Sequence, residues 1–176
     1  MQPCDAYRLA VSQRGFTLIE IAVVLAIIGM ILMLVIPRLP STEHENLKNS
    51  ARGLAATLRY VQDRAATGQA RYFLRLEPGT ENVAILQATG DGGEKAPDDP
   101  LLQKSQIREG IIVADVVVPR LGTVAEGEVR LEIGGGGLRE FIAIHLRSDS
   151  GNFWTVMAFP SGGKVKVYNG YQEEAL

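Results

Sequence analysis

A single carboxylate stands inside the longest apolar stretch of this 176-residue chain. Glu20 lies four residues into residues 16–36, which contain no other charged residue, and Arg14 and Gly15 directly precede the stretch. An ionisable group in such a segment costs about a few kcal/mol and pairs with a counter-charge or lines a polar path. The sequence therefore assigns Glu20 a functional role.

Two short patterns resemble catalytic or nucleotide-binding motifs and fail on inspection. His44 and Glu45 begin like a zinc-protease helix, but Lys48 occupies the position of the second histidine. Gly163-Lys164 lacks both the earlier glycine of a phosphate-binding loop and the Ser or Thr that follows the lysine. Neither pattern supports an enzyme.

The remaining titratable residues do not predict a metal or nucleophile site. His145 shares a hairpin with Asp149 and Ser150, and we expect it to face solvent. Residues 90–100 contain four acids: Asp91, Glu94, Asp98 and Asp99. Their spacing matches no calcium-binding EF-hand loop. We therefore predict a solvated acidic loop, no metal site and no cofactor.

The amino-acid composition is that of a folded protein and includes no basic block of the kind that binds nucleic acid. The chain is 46% hydrophobic and 22% charged, which excludes disorder over most of its length. The net charge is -2 and no block of like charge occurs. Nucleic acid is therefore not expected as a partner.

The apolar stretch predicts a helix of about 30 Å, which matches a bilayer core. Ala22, Ala26 and Gly29 follow i, i+4, i+7 spacing, so they form a strip that would let another helix approach closely. The alternative is that they are ordinary small residues of a membrane helix. Pro37 should kink or break this helix.

A second helix and a strand-rich region follow. Leucines, valines and alanines recur at steps of three or four from Leu47 to Ala65, and Gly68 is a natural stop, so we predict an amphipathic helix to about Thr67. Seven strands are predicted at residues 71–77, 82–88, 111–118, 128–133, 140–147, 153–159 and 164–168. Residues 90–100 should form a loop and the four glycines at 134–137 a flexible connection.

These elements predict an α+β fold: a long N-terminal helix, membrane-spanning in its first half and amphipathic in its second, packed on a small antiparallel β-sandwich-like domain. Phe153, Trp154 and Phe159 should fill its core. The predicted segments are residues 1–15, 16–40, 41–68 and 69–176.

The run Gly15-Phe16-Thr17-Leu18-Ile19-Glu20, followed by its apolar stretch, resembles the class III signal of type IV pilins and type II secretion pseudopilins. Residues 54–60 and 64–66, with the ending at 155–167, look like the helix and terminal hairpin of H-type minor pseudopilins. The resemblance implies cleavage by a prepilin peptidase between Gly15 and Phe16 and methylation of the new amine of Phe16.

Cleavage would also give Glu20 its counter-charge. The amine of Phe16 lies one turn away in the same helix, and in a stack of subunits Glu20 could pair with the Phe16 amine of a neighbour. A glutamate that reaches the membrane surface is the alternative. Phe16 and Glu20 are therefore the residues assigned to subunit assembly.

The resemblance implies a non-enzymatic minor pseudopilin, held in the inner membrane by one helix with its globular domain in the periplasm. The expected partners are membrane lipid before assembly, the prepilin peptidase, the inner-membrane assembly platform, other minor pseudopilins and the major pseudopilin. A minor type IV pilin serving pilus initiation, adhesion or DNA uptake is the alternative. A membrane-anchored envelope enzyme would need a polar pocket that the sequence does not supply.

Overall fold

A computed structural model describes residues 17–35, 42–68, 70–160 and 163–173 of the chain. The chain divides into two compact units, Met1–Leu39 and Pro40–Leu176. The first contains the helix α1, Leu18–Val35. The cleavage site at Gly15 and Phe16 and the kink at Pro37 lie outside the described residues, so those predictions and the predicted segment boundaries stay predictions.

The second unit begins with a long helix and continues mainly as strands. Its described elements are α2 (Thr42–Gly68), β1 (Tyr72–Leu76), β2 (Val83–Ala88), β3 (Glu94–Lys95), α3 (Pro100–Gln103), β4 (Ile111–Val118), β5 (Gly122–Val124), β6 (Val129–Gly134), β7 (Gly137–Leu138), β8 (Ile142–Ser148), β9 (Phe153–Ala158) and β10 (Val165–Asn169).

The strands form two five-stranded antiparallel sheets. Sheet A has the order β3-β2-β1-β6-β7, and sheet B has the order β10-β9-β8-β4-β5. Each sheet is built largely from hairpins. Strand β1 also pairs with β6, although β4 and β5 of sheet B lie between them in the chain. Most pairings are therefore between strands that are neighbours in sequence. The β1–β6 pairing in sheet A and the β4–β8 pairing in sheet B join strands that are distant in sequence.

Helix α2 packs against strands of both sheets. Its apolar positions repeat every three or four residues, so they line one face of the helix. Seven apolar residues of α2 have no exposed surface: Leu47, Ala51, Leu54, Ala55, Leu58, Val61 and Ala65. They meet inward-facing residues of the strands, such as Leu74 and Ile144, in one continuous core. The predicted α+β class, with a helix on a small antiparallel sandwich, is confirmed.

The seven predicted strands appear at or within about two residues of their predicted positions. The short strands β3, β5 and β7 were not predicted, because two or three residues carry no readable alternation. Residues 90–100 hold β3 and the start of α3 as well as loop. The four glycines form a tight turn, since Gly134 pairs with Gly137 across the β6–β7 hairpin.

Two side-chain predictions were wrong. His145 does not face solvent; it is fully buried. Phe153 and Phe159 are half-buried and do not belong to the core, whereas Trp154 packs at its margin. The reason is the alternation along β9: Val156 and Ala158 enter the core, and Phe153 lies on the other side of the strand, with its ring 5.5 Å from that of Tyr171.

Candidate functional site

The first turn of α1 is fixed by Thr17. The Thr17 hydroxyl accepts the backbone N–H of Glu20 at 3.3 Å, and the Thr17 carbonyl accepts the same N–H at 3.1 Å. A threonine three residues before a glutamate has the spacing of a helix capping box. The carboxylate of Glu20 therefore sits in the first turn, where the helix dipole favours negative charge.

The rest of α1 is unusual in how much apolar surface it exposes. Its described side chains are all exposed within the isolated chain, including Leu25 at 62% and Met33 at 81%. A Cβ placed on Gly29 would meet no atom within 4 Å. Ala22, Ala26 and Gly29 thus lie on an uncovered helix surface. Contiguous apolar surface of this kind is a mark of association with a membrane or another protein.

Among the described residues, no helix meets the length and hydropathy required of a membrane span.

In the second unit, His145 of β8 lies between two acceptors. Its Nδ1 is 2.6 Å from Oδ1 of Asp115 on β4, and its Nε2 is 2.9 Å from the carbonyl of Gln172. Both ring nitrogens of the buried His145 therefore have a hydrogen-bond partner, and Asp115 is the partner of Nδ1.

The same histidine fixes the C-terminal tail, which follows β10 and crosses sheet B. The ring of Tyr171 stacks on His145 with centroids 3.8 Å apart. Thr155 donates to the carbonyl of Gly170 at 2.8 Å and accepts the N–H of Gln172 at 3.1 Å. The tail is thus held to β9 by Thr155 and to β8 by His145. Because His145 has no exposed surface, it cannot meet a substrate.

Burial and the nearby charge of Asp115 raise the pKa of Tyr171 above its ordinary value. The Tyr171 hydroxyl donates to Oδ1 of Asp115 at 3.3 Å. It therefore remains a donor to Asp115 over the whole neutral range.

The four acids of the 90–100 segment each have their own partner. Asp91 is bound by Thr89 and by the N–H of Gly93, so its pKa is lowered. Lys95 donates to Asp98 at 2.7 Å, and Arg130 pairs with Glu94. No three acidic, histidine or cysteine side chains in the described part of the chain converge on a metal position.

Asp99 joins the segment to α2. Tyr60 donates to its Oδ2 at 2.5 Å, and the N–H of Leu101 donates to its Oδ1 at 3.0 Å as the cap of α3. The hydrogen bond from Tyr60, followed by the one from Leu101, lowers the pKa of Asp99. The same contact with Asp99 raises the pKa of Tyr60.

The outer face of sheet A is charged but balanced. Arginine–glutamate pairs lie on sheet A and beside it: Arg71 and Arg139 with Glu132, Arg75 with Glu128, and Arg130 with Glu94; Arg120, after β4, pairs with Glu140. Arg130 also lies over the ring of Phe73 at 3.9 Å. Each arginine of these pairs thus has an acidic partner.

Sequence reasoning missed Asp115 and Gln62. Asp115 stands alone among apolar residues in β4, and His145 does the same in β8. A buried charge needs a partner, so two lone polar residues in two apolar strands were a readable signal for the pair. Gln62 gave no such signal, since a glutamine on an amphipathic helix is ordinary.

Comparison with known proteins finds one family model and several similar proteins. Residues 11–36 match the family model described as the prokaryotic N-terminal methylation motif. The chain is similar to a protein named type II secretion system protein H of Vibrio cholerae, with 28% identity over 99 residues, 56% of this chain and 51% of the relative. A protein of the same name from Klebsiella pneumoniae is 29% identical over 87 residues, 49% of this chain and 51% of the relative.

The fold has solved counterparts. Two structures of the minor pseudopilin EpsH from the type II secretion system of Vibrio cholerae superpose with TM-scores of 0.55 and 0.56 at 19% and 17% identity. They cover 70% and 74% of this chain and 97% and 98% of the solved chains. The resemblance to H-type minor pseudopilins is confirmed.

The sequence matches and the structure matches cover different shares of the chains. This pseudopilin-like chain spans about half the length of the curated relatives it matches. The structural likeness covers 70% or more of this chain, and the family model covers the region around Glu20. Its fold is that of a minor pseudopilin, with a methylation motif at its start.

Proposed function

We propose that the chain is a minor pseudopilin subunit of a type II secretion system, which enters a periplasmic pseudopilus that helps to drive protein export across the outer membrane. The observation that carries this proposal is the combination of the methylation motif at residues 11–36 with the fold of a minor pseudopilin. In this role the chain performs no chemistry.

Assembly of the filament drives export, and α1 supplies the surface through which this chain enters the filament. A prepilin peptidase cuts between Gly15 and Phe16 on the cytoplasmic side and methylates the amine of Phe16. Before assembly the apolar segment at residues 16–36 lies in the inner membrane with the globular unit in the periplasm. The assembly platform then moves the helix from lipid into the filament, where other pseudopilins cover its exposed apolar face.

Glu20 directs this transfer. Its carboxylate pairs with the Phe16 amine of a neighbouring subunit, so two charges that are expensive in lipid compensate each other in the filament. Ala22, Ala26 and Gly29 give the neighbouring helix a close approach on one side of α1. The partners are therefore the major pseudopilin and the other minor pseudopilins, which meet this chain through helix packing.

The second unit serves as a contact module. Its core is complete without α1, since the buried residues come from α2 and the two sheets. The balanced arginine and glutamate pairs on sheet A support a protein partner over nucleic acid.

The test is processing followed by intact mass. The chain is co-expressed with a prepilin peptidase and compared with the same chain in which Gly15→Val blocks the cut. We expect the wild-type chain to lose residues 1–15 and gain one methyl group, and the variant to stay intact. An unprocessed wild-type chain would exclude the pseudopilin role.

A further inference from the structure

A polar pocket of about 390 Å³ opens on the second unit beside the second half of α2. Arg59, Gln62 and Asp63 form one wall, the glycine turn between β6 and β7 forms another, and Gly163 closes one end. The glycine turn presents Gly135 and Gly136 to solvent. The pocket is therefore walled on one side by polar side chains and on the other by bare main chain.

Gln62 at its base is buried and has no partner. Its side chain is 3% exposed, and within the described part of the chain neither Nε2 nor Oε1 makes a hydrogen bond. A buried primary amide normally uses both its donors and its acceptor, and each group left unpaired is destabilising. The fold thus keeps an unsatisfied donor and acceptor side by side.

Gly137 keeps this amide uncovered. Its φ of 82° is a conformation that favours glycine, and a Cβ there would lie 3.1 Å from Gln62 Oε1. A side chain at position 137 would therefore press on the amide as well as strain the backbone. The glycine turn leaves room for atoms from outside the chain.

The chemistry of the gap selects a peptide. Oε1 needs an N–H and Nε2 needs a carbonyl, and one residue of an extended chain presents its N–H and its C=O on the same side. Arg59 and Asp63 carry opposite charges, and Arg59 already donates to the carbonyl of Val165, so the pocket does not select an ion. The adjacent β7 is the last strand of sheet A, so its outer edge has no strand partner in the described ranges.

We propose that this pocket receives an extended segment of a neighbouring filament subunit, whose main chain pairs with the amide of Gln62. This inference rests on the proposed function, because it takes its partner from the filament. Gln62 is then a recognition residue, and its unsatisfied amide in the free chain is complementary to the bound segment.

The experiment separates stability from assembly with one substitution. Gln62→Met keeps a long, unbranched side chain and removes the unpaired polar atoms. We expect the melting temperature of the full processed chain in detergent micelles to rise by about 2–4 °C or more. Recovery of the variant with pseudopili, when it replaces the wild-type chain in its own cells, should fall about tenfold or more.

Gln106→Met is the matched control, because the Gln106 amide already donates to the carbonyl of Lys104 at 3.0 Å. It should neither raise the melting temperature nor change recovery with pseudopili. Gly136→Leu is an independent block of the pocket: a Cβ there meets no atom within 4 Å, so the free chain should fold normally and lose recovery.

Each outcome decides the matter. A lower melting temperature for Gln62→Met would mean that the amide is satisfied in the free chain, and it would overturn the proposal. Normal recovery of Gln62→Met or Gly136→Leu, while the wild-type chain is recovered, would overturn the pocket and leave the proposed function standing. Absence of the wild-type chain from the pseudopili would remove both.

Discussion

The two units of this chain differ in where their apolar side chains lie: α1 exposes them, and the second unit buries them. Along α1 the described side chains are exposed and apolar, apart from a few small or polar positions and the carboxylate of Glu20. In the second unit, α2 and both sheets bury their apolar residues against one another, and the side chain of Asp115 has its partner in His145. The second unit buries most of its large apolar side chains, whereas those of α1 are exposed.

This difference separates what assembly and folding each require. Changes in α1 should affect association and leave the second unit folded, whereas changes in the core should affect folding first. The following substitutions test that division, beginning with the one expected to have the largest effect.

Glu20→Ala should abolish assembly. Removal of the carboxylate leaves the Phe16 amine of a neighbour without its counter-charge, and an unpaired buried charge costs about 3–5 kcal/mol. Recovery with pseudopili should therefore fall by more than about 100-fold. Thermal unfolding of the second unit should not change.

Glu43→Ala is the control, since Glu43 also lies in the first turn of a helix, α2, and is exposed. It should assemble normally. If Glu20→Ala were recovered as well as Glu43→Ala, the pairing of Glu20 with the amine would be wrong.

Leu58→Ala should damage the second unit instead. Leu58 has no exposed surface at the centre of the α2 face, so its truncation leaves a cavity and should lower the free energy of unfolding by about 2–5 kcal/mol. Urea denaturation followed by circular dichroism measures this loss. Leu101→Ala, at a position 66% exposed, should change it by less than about 0.5 kcal/mol. Equal effects of the two changes would contradict the assigned core.

These two units also differ in how far sequence could describe them. The period of α2 and the positions of the seven longer strands follow from residues that repeat at fixed spacing, and Glu20 stands out because nothing near it is charged. Asp115 and His145 each stand out as a polar residue flanked by apolar ones, but the register that places them opposite each other joins positions 30 residues apart and is fixed only by the fold. The gap at Gln62 depends on a glycine turn some 70 residues away, so it was visible only in the folded chain.

Asp115→Asn tests the non-local pair. Asparagine keeps the shape but removes the charge that faces Nδ1 of His145, so the free energy of unfolding should fall by about 1–3 kcal/mol. The tail at residues 170–173 should also become more sensitive to carboxypeptidase, because His145 and Tyr171 both depend on Asp115. Tyr171→Phe removes only the 3.3 Å contact to Asp115 and should have the smaller effect. A larger loss for Tyr171→Phe would mean that the phenol, and not the contact between Asp115 and His145, holds the tail.

Tyr60→Phe should have the smallest effect, and pH shows where it comes from. The Tyr60 hydroxyl lowers the pKa of Asp99, and a lowered carboxyl pKa gives stability above the unfolded value of about 4 that is lost as pH falls through the folded value. Asp99 also raises the pKa of Tyr60, so that contribution is present below about pH 10 and is lost as pH rises through the folded value. The stability difference between wild type and Tyr60→Phe should therefore be greatest between these limits and shrink at both ends. Urea midpoints measured across pH should show this plateau.

Thr67→Val serves as the control, since the Thr67 hydroxyl donates to a backbone carbonyl and its contribution should not vary with pH. A difference for Tyr60→Phe that stays constant below pH 4 would mean that the contact between α2 and Asp99 is held by packing and not by the carboxylate.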